Sequence, residues 1–397
     1  MGATRGAIYR APFFHYLLRL AIIAAISAGI SLAQPQSTPD NSLAKSRAQH
    51  LRHGINMSEW FAQVHDPKGY TKEHFETWNT PADAALIKSI GFDHVRLSVN
   101  PGPIFHRNQA DQIPADYLAE VDLAIKMLLD QNLAVVLDIH PDEDFKQKLA
   151  SDETVEQFTD FWRAFAKHFS AYDPGKVFFE ALNEPEMRDR YRWYGIQIRL
   201  VGAIREAAPQ HTILVEGARW ANDDDLIFLE PLRDTNIIYN FHFYEPHIFT
   251  HQGATWGVNS WHYLKGLPYP SDPDNVRATA ATVPDDYNRL LIMRYGADRW
   301  NLARINVDFD QVATWARHWN VPVVCNEFGV FRYAAKPEDR AAWLKDVRSS
   351  LEKHNFGWTM WDYSGGFGVV TKSPNQPTQV DPVTVTALGL HLPPQSH

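Results

Sequence analysis

Eight short runs of β-branched and aromatic residues alternate with helix-length amphipathic stretches along this chain, and that alternation restricts its fold more than any other feature. The runs are HGINMS (53–58), FDHVRLSV (92–99), LAVVLDIH (133–140), the stretch opening at Val177, TILVEGARW (212–220), IIYNFHFYEP (237–246), VPVVCNEFG (321–329) and FGWTMWDYSGG (356–366). Between them, Pro81 suits the first turn of a helix over 81–90. Residues 114–131 carry Leu118, Val121, Ile125, Leu128 and Leu129 on one helical face. Residues 154–169 do the same with Phe158, Phe161, Trp162, Phe165 and Phe169, and further helices are expected over 190–208, 309–319 and 337–354. Strand followed by helix, repeated eight times, predicts an α/β fold whose parallel sheet closes into a (β/α)8 TIM barrel. Residues 249–305 depart from the short connections, since they are too long for a plain loop and hold Trp256, Trp261, Tyr263 and Tyr269. They are expected to form a long insertion after the sixth strand that walls a cleft.

Several apolar runs end in polar cargo. In VFFEALNEPE (177–186) a buried-type strand stops at Asn183, Glu184 and Pro185, and in VPVVCNEFG Glu327 sits where the run meets Gly329. In a parallel barrel the C-terminal strand ends carry the active site, because the βα loops converge there. That face is expected to collect Arg96, His140, Asn183, Glu184, His242, Tyr244, Glu327 and Trp361. A lone strand histidine is more often a satisfied core residue than a catalyst. So many polar residues from separate strands are harder to assign to packing, since each buried polar group costs free energy unless paired. Two carboxylates at two strand ends suggest a general acid paired with a nucleophile or base, as glycoside hydrolysis requires.

Charge and cysteine usage remove other classes. The net charge of −9 and the lack of a dense basic run exclude nucleic acid as a partner. The single cysteine, Cys325, lies inside an apolar strand run, forms no intrachain disulfide and reads as a small buried hydrophobe. The chain holds 13 Trp, and flat rings suit the apolar faces of sugars as well as a core. At the N-terminus Arg5, Arg10 and Arg19 precede the apolar stretch 20–30, and Ser31, Leu32 and Ala33 supply a signal-peptidase site. The expected organisation is a signal peptide over 1–33, a polar tether over 34–50 and one catalytic domain over 51–397, with folded structure starting near His53. The product is expected to be secreted or periplasmic and monomeric, without stable membrane insertion after cleavage; the alternative is an uncleaved anchor.

GINMSEWF (54–61), NEP (183–185), HFYEP (242–246), NEFG (326–329) and WTMWDY (358–363) together resemble glycoside hydrolase family 5, formerly cellulase family A, over nearly the whole mature chain. The resemblance implies a retaining β-glycosidase on a (β/α)8 barrel, with Glu184 as acid/base and Glu327 as nucleophile. It also implies substrate-binding or orienting roles for Arg96, His140, Asn183, His242, Tyr244 and Trp361, and no cofactor or metal. Arg96 and the Tyr244 hydroxyl are expected to favour ionised Glu327, while burial and a neighbouring carboxylate keep Glu184 protonated. The expected substrate is a β-linked polysaccharide or oligosaccharide, with endo-β-1,4-glucanase activity preferred over β-mannanase or exo-β-glucanase. A metal-dependent hydrolase would use HPDED (140–144) or His242, Glu245 and His247, but no His-x-His pair or HExxH motif is present. A phosphate-binding barrel would use Gly365, Gly366 and Gly368, for which a tight turn is the simpler reading. A non-catalytic carbohydrate-binding barrel would keep the aromatic cleft and lose a carboxylate, yet Glu184 and Glu327 are both present.

Overall fold

The structure, a computed structural model, describes residues 40–373 and 376–393. The expected signal peptide over 1–33 lies outside the described residues. Among those described, no helix is long and apolar enough to cross a membrane.

Eight strands close into a barrel in chain order: β1 (His53–Phe61), β2 (His94–Val99), β3 (Ala134–Ile139), β4 (Val177–Glu180), β5 (Ile213–Glu216), β6 (Ile237–Phe243), β7 (Val323–Phe328) and β8 (Gly357–Met360). All neighbours run parallel, and β8 returns to β1 through His53–Trp358, Gly54–Thr359 and Ile55–Met360. The fold is a (β/α)8 barrel of the TIM type. Every residue of β2 and β3 is buried, because a parallel strand is covered by helices outside and by side chains within.

The inward set Val136, Phe178, Leu214, Ile238 and Val324 fills the lower interior together with Ala44 and Ala48. Those alanines belong to a helix, Ser42–Ala48, that packs into the barrel's N-terminal end. Folded structure therefore begins ahead of His53, inside the stretch read as a polar tether. The small, mixed residues of so short a helix carry no periodic signal, and only tertiary packing reveals it. Gly54 serves the same interior: a Cβ there would lie 2.1 Å from His94 Nε2, whose ring crosses to the Thr359 hydroxyl at 2.9 Å.

Outside the barrel, the helix Asp152–Phe169 buries Phe158, Phe161, Trp162, Phe165 and Phe169. Its Trp162 Nε1 donates to the Ala181 carbonyl at 2.8 Å, pinning the chain between β4 and Asn183. Trp193, on the helix Arg190–Ala207, donates likewise to the Glu216 carbonyl at 2.9 Å and holds the end of β5. The insertion after β6 contains short helices at Arg277–Thr282 and Asp286–Asp298, and the next barrel helix, Leu302–Trp319, starts ahead of the expected Phe309. Asn301 explains the earlier start: its side chain accepts from the Arg304 amide at 3.1 Å and caps the helix.

Candidate active site

The site is assembled on Arg96, which stands in the middle of β2 rather than at its C-terminal end and reaches the mouth by its length. The side chain is fully buried. Its Nε and Nη2 donate to both oxygens of Glu180 at 2.9 and 2.7 Å, and Nη2 also donates to Asn183 Oδ1 at 2.8 Å. Nη1 donates to Asn56 Oδ1 at 3.0 Å and to Glu327 Oε1 at 2.6 Å, while Asp138 Oδ2 lies 3.1 Å from Nη2. The planar fork thus joins groups from four other strand segments, which a lysine's point charge cannot do.

Glu327 receives a second donor from the Tyr244 hydroxyl, 2.9 Å from Oε2. A register shift between β6 and β7 sets His242 opposite Glu327, so that His242 Nδ1 lies 3.6 Å from the same oxygen and 2.9 Å from Glu184 Oε1. Oxygens of Glu184 and Glu327 are no more than 4.8 Å apart. Glu184 lies past the end of β4 with a positive φ of 47°, a conformation rare for a residue with a side chain. Its amide donates to Glu216 Oε1 at 2.5 Å. The following segment is tied to the loop after β5 by Trp220 N to Pro185 O at 3.0 Å and Met187 N to Ala218 O at 3.0 Å.

The two histidines are neutral. Burial pushes His140 down to about 3 and His242 to about 4. His140 Nδ1 faces Asp138 Oδ2 at 2.9 Å, so the network assigns the hydrogen to Nδ1 and leaves Nε2 to accept from the Asn183 and Gln63 amides, each at 3.3 Å. The ring stacks against Trp361, centroids 5.4 Å apart and 15° from parallel. Trp361 in turn packs with Tyr244, Phe331 and Phe367. All eight residues singled out from sequence are thereby linked around one mouth.

Sequence reasoning passed over a lower polar tier of Asn56, Asp138, Glu180, Glu216 and Asn326, all buried. Burial raises Asp138 to about 6 against the pull of Arg96, and it also raises Glu180. Asn326 Nδ2 supplies Glu180 Oε2 with a further hydrogen bond at 2.6 Å. The available signal was a charge interrupting an apolar strand run, as in AVVLDIH, VFFE and ILVE.

The competing chemistries find their residues otherwise engaged. Asp142 caps the helix Glu143–Lys148 through the Phe145 amide at 2.9 Å, and His247 pairs with Glu245 at 3.1 Å, apart from His242. Glu184, His242 and Glu327 are near enough to surround an ion, yet their facing atoms are spent on one another, Arg96 and Tyr244. Gly365 has a φ of +77°, and a Cβ on Gly366 would meet Phe331 at 2.4 Å, so turn geometry and packing account for these glycines. The Cys325 thiol is buried and pushed well above its ordinary range by that burial, which leaves it without thiolate character.

A closed parallel barrel presenting two facing carboxylates, one held by a guanidinium and a tyrosine and the other by a neutral histidine, defines a glycoside hydrolase. The chain belongs to glycosyl hydrolase family 5: that family's cellulase model matches residues 56–366. Endoglucanase C of Acetivibrio thermocellus is 30% identical over 317 residues, spanning 78% of this chain and 90% of that protein. A hyperthermophilic endo-β-1,4-glucanase solved with substrate is similar with a TM-score of 0.69 at 27% identity, over 87% of this chain and 99% of the other. Thermotoga maritima Cel5A, solved with mannotriose, reaches 0.71 at 25% identity over 86% and 99%.

Proposed function

We propose that this glycoside hydrolase cleaves β-1,4-glucan internally by double displacement, with Glu327 as nucleophile and Glu184 as acid/base. The observation that carries the reading is the separation of no more than 4.8 Å between oxygens of the two residues. Retaining enzymes hold their carboxyl groups about 5–5.5 Å apart, whereas inverting enzymes need about 6.5–9.5 Å to admit water between them. The surroundings support the division of labour. Two donors, Arg96 and Tyr244, converge on Glu327 and fix its oxygens for attack on the anomeric carbon. Glu184 meets a neutral imidazole and no cation, as suits a group that releases a proton to the departing oxygen and recovers one from water. Trp361 supplies a ring to the sugar in front of the cleaved bond, and Asn183, fixed by Arg96, offers an amide hydrogen to its 2-hydroxyl.

Internal β-1,4-glucan cleavage is favoured by the endoglucanases among the relatives, and mannotriose in one structural neighbour keeps β-mannan as a second reading. We further propose export, on the charged and apolar pattern of residues 5–33. The deciding experiment measures hydrolysis of cellulose derivatives, mannan, xyloglucan and laminarin by the wild type and by Glu327→Gln. The expected result is release of mixed-length products from the glucan and a loss of about a thousandfold or more in the variant. Equal rates for the two proteins would overturn the assignment.

A further inference from the structure

Below the mouth the barrel interior carries more acid than it has base to match. Arg96 already serves Asp138, Glu180 and Glu327. Glu216, at the end of β5, is buried and has no cation of its own. The charged groups around it are Glu180, Asp138 and Glu184, which raise its carboxyl, and Arg96, which lowers it. Asp225, packed against Gly217, is spent on Arg190 and Arg219, and Lys146 is spent on Glu186. Asn240, opposite Glu216 in register, adds no charge. Burial and these neighbours hold Glu216 well above the carboxylate range, so it is a neutral acid. Its Oε1 accepts from the Glu184 amide, leaving the hydroxyl at Oε2, an atom without a partner among the described residues.

The complementary atom is on the adjacent strand. His242 Nδ1 faces oxygens of Glu184 and Glu327, so it carries the hydrogen of the neutral ring. Nε2 is then a bare acceptor, buried and also without a partner. An oxygen of Glu216, an oxygen of Glu180 and a ring nitrogen of His242 lie within 4.8 Å of one another, a span closed by a small side-chain rotation or a single bridging water. Both Asn240 amide atoms are likewise without a partner among the described residues, so a water bound by that amide can carry the link from the buried donor of Glu216 to the buried acceptor of His242.

We propose that Glu216 is a positioning residue that shares one proton with Glu184 across His242 while its other oxygen fixes the Glu184 backbone. This rests on the acid/base reading of Glu184. The transfer balances: the Glu216 O–H bond breaks as its proton bonds to His242 Nε2, and the Nδ1 proton passes to a Glu184 oxygen. Glu216 becomes a carboxylate, Glu184 an acid and His242 its other neutral tautomer, with total charge unchanged. The reverse transfer resets the group, and no charged imidazole forms in the buried site.

Glu216→Gln tests this, because its amide keeps the acceptor for the Glu184 backbone and a donor towards His242 but cannot release a proton. With His242 locked as the Nδ1–H form, the alkaline limb of kcat/KM should move down by about one pH unit, and glucan hydrolysis above neutrality should fall about tenfold. KM and Tm should stay near wild type. Glycosylation by dinitrophenyl cellobioside, whose leaving group needs no proton, should be spared in the burst phase. An unmoved limb with an unchanged ratio between the two substrates would overturn the proposal. Nitrogen-15 NMR of the wild type, histidine-labelled, is independent of how the variant folds. Shifts of the His242 nitrogens averaged between the two tautomers support the shared proton, and a ring fixed in one form across the working pH range refutes it. An inactive wild type, or one matched by Glu327→Gln, instead defeats the catalytic reading itself.

Discussion

Arg96 shows how far a single side chain determines the chemistry available at this mouth. Its guanidinium touches Glu327 directly and holds Asn183 and Glu180, so one residue orients groups contributed by separate strands. The Tyr244 hydroxyl is the other donor to Glu327 and can be removed without disturbing that cluster. Tyr244→Phe should therefore fold normally and lose about 10- to 100-fold in kcat/KM, the value of roughly 1.5–3 kcal/mol for a hydrogen bond to a charged group. Steady-state kinetics on a soluble glucan check it, and an undiminished kcat/KM would show that the hydroxyl does not support Glu327 in the transition state. At this scale the residues next to turn signals were readable: Asn183 and Glu184 before Pro185, Glu327 before Gly329, Tyr244 ahead of a proline. Glu180 and Glu216 were not, because a charge within an apolar strand acquires meaning only when the neighbouring strands show what compensates it.

Among the elements, the helix Ser42–Ala48 illustrates a limit of pattern reading. It buries Ala44 and Ala48 against Phe178, Leu214, Ile238 and Val324, closing the end of the barrel opposite the carboxylates. Ala44→Asp would place a charge there with no partner and should lower unfolding free energy by about 2–4 kcal/mol. Urea denaturation measures the loss, and KM for the glucan should be unaffected because the change lies far below the mouth; an unchanged urea midpoint would mean the helix does not seal the interior. The long helices were legible because Phe158, Phe161, Trp162, Phe165 and Phe169 repeat over enough turns to define a face. The early start at Leu302 was not, since it depends on the capping geometry of Asn301. Strand ends were likewise read too long in TILVEGARW and FGWTMWDYSGG, where β5 stops at Glu216 and β8 at Met360. There the apolar composition continues into loops that pack over the site.

For the molecule as a whole, the alternation of runs was sufficient to specify a barrel, because eight parallel strands with covering helices have few other ways to bury both faces. The register between β6 and β7 that aligns His242 with Glu327 came only from the closed structure. Burial of neutral histidine also gives the fold a pH dependence. His211 is buried against Phe179, centroids 5.0 Å apart, and burial pushes it down to about 4. Above about pH 6.5 the ring is neutral folded and unfolded, and nothing is lost; below it the unfolded chain takes up a proton that the folded chain refuses. Stability then falls by up to about 1.4 kcal/mol per pH unit until about pH 4. His211→Leu should accordingly gain stability over the wild type at pH 4.5 relative to pH 8, read from urea midpoints, and a difference independent of pH would rule out this titration.

The seam between β1 and β8 reaches beyond the finished enzyme. Since Gly357–Met360 is the stave that joins β7 to β1, every translation product that stops short of it ends with raw hydrogen-bonding margins on both sides of an unfinished cask. Such remnants would find their missing neighbour in each other, so premature termination ahead of that stave should yield clumped debris, whereas the completed barrel offers a passing strand nothing to join.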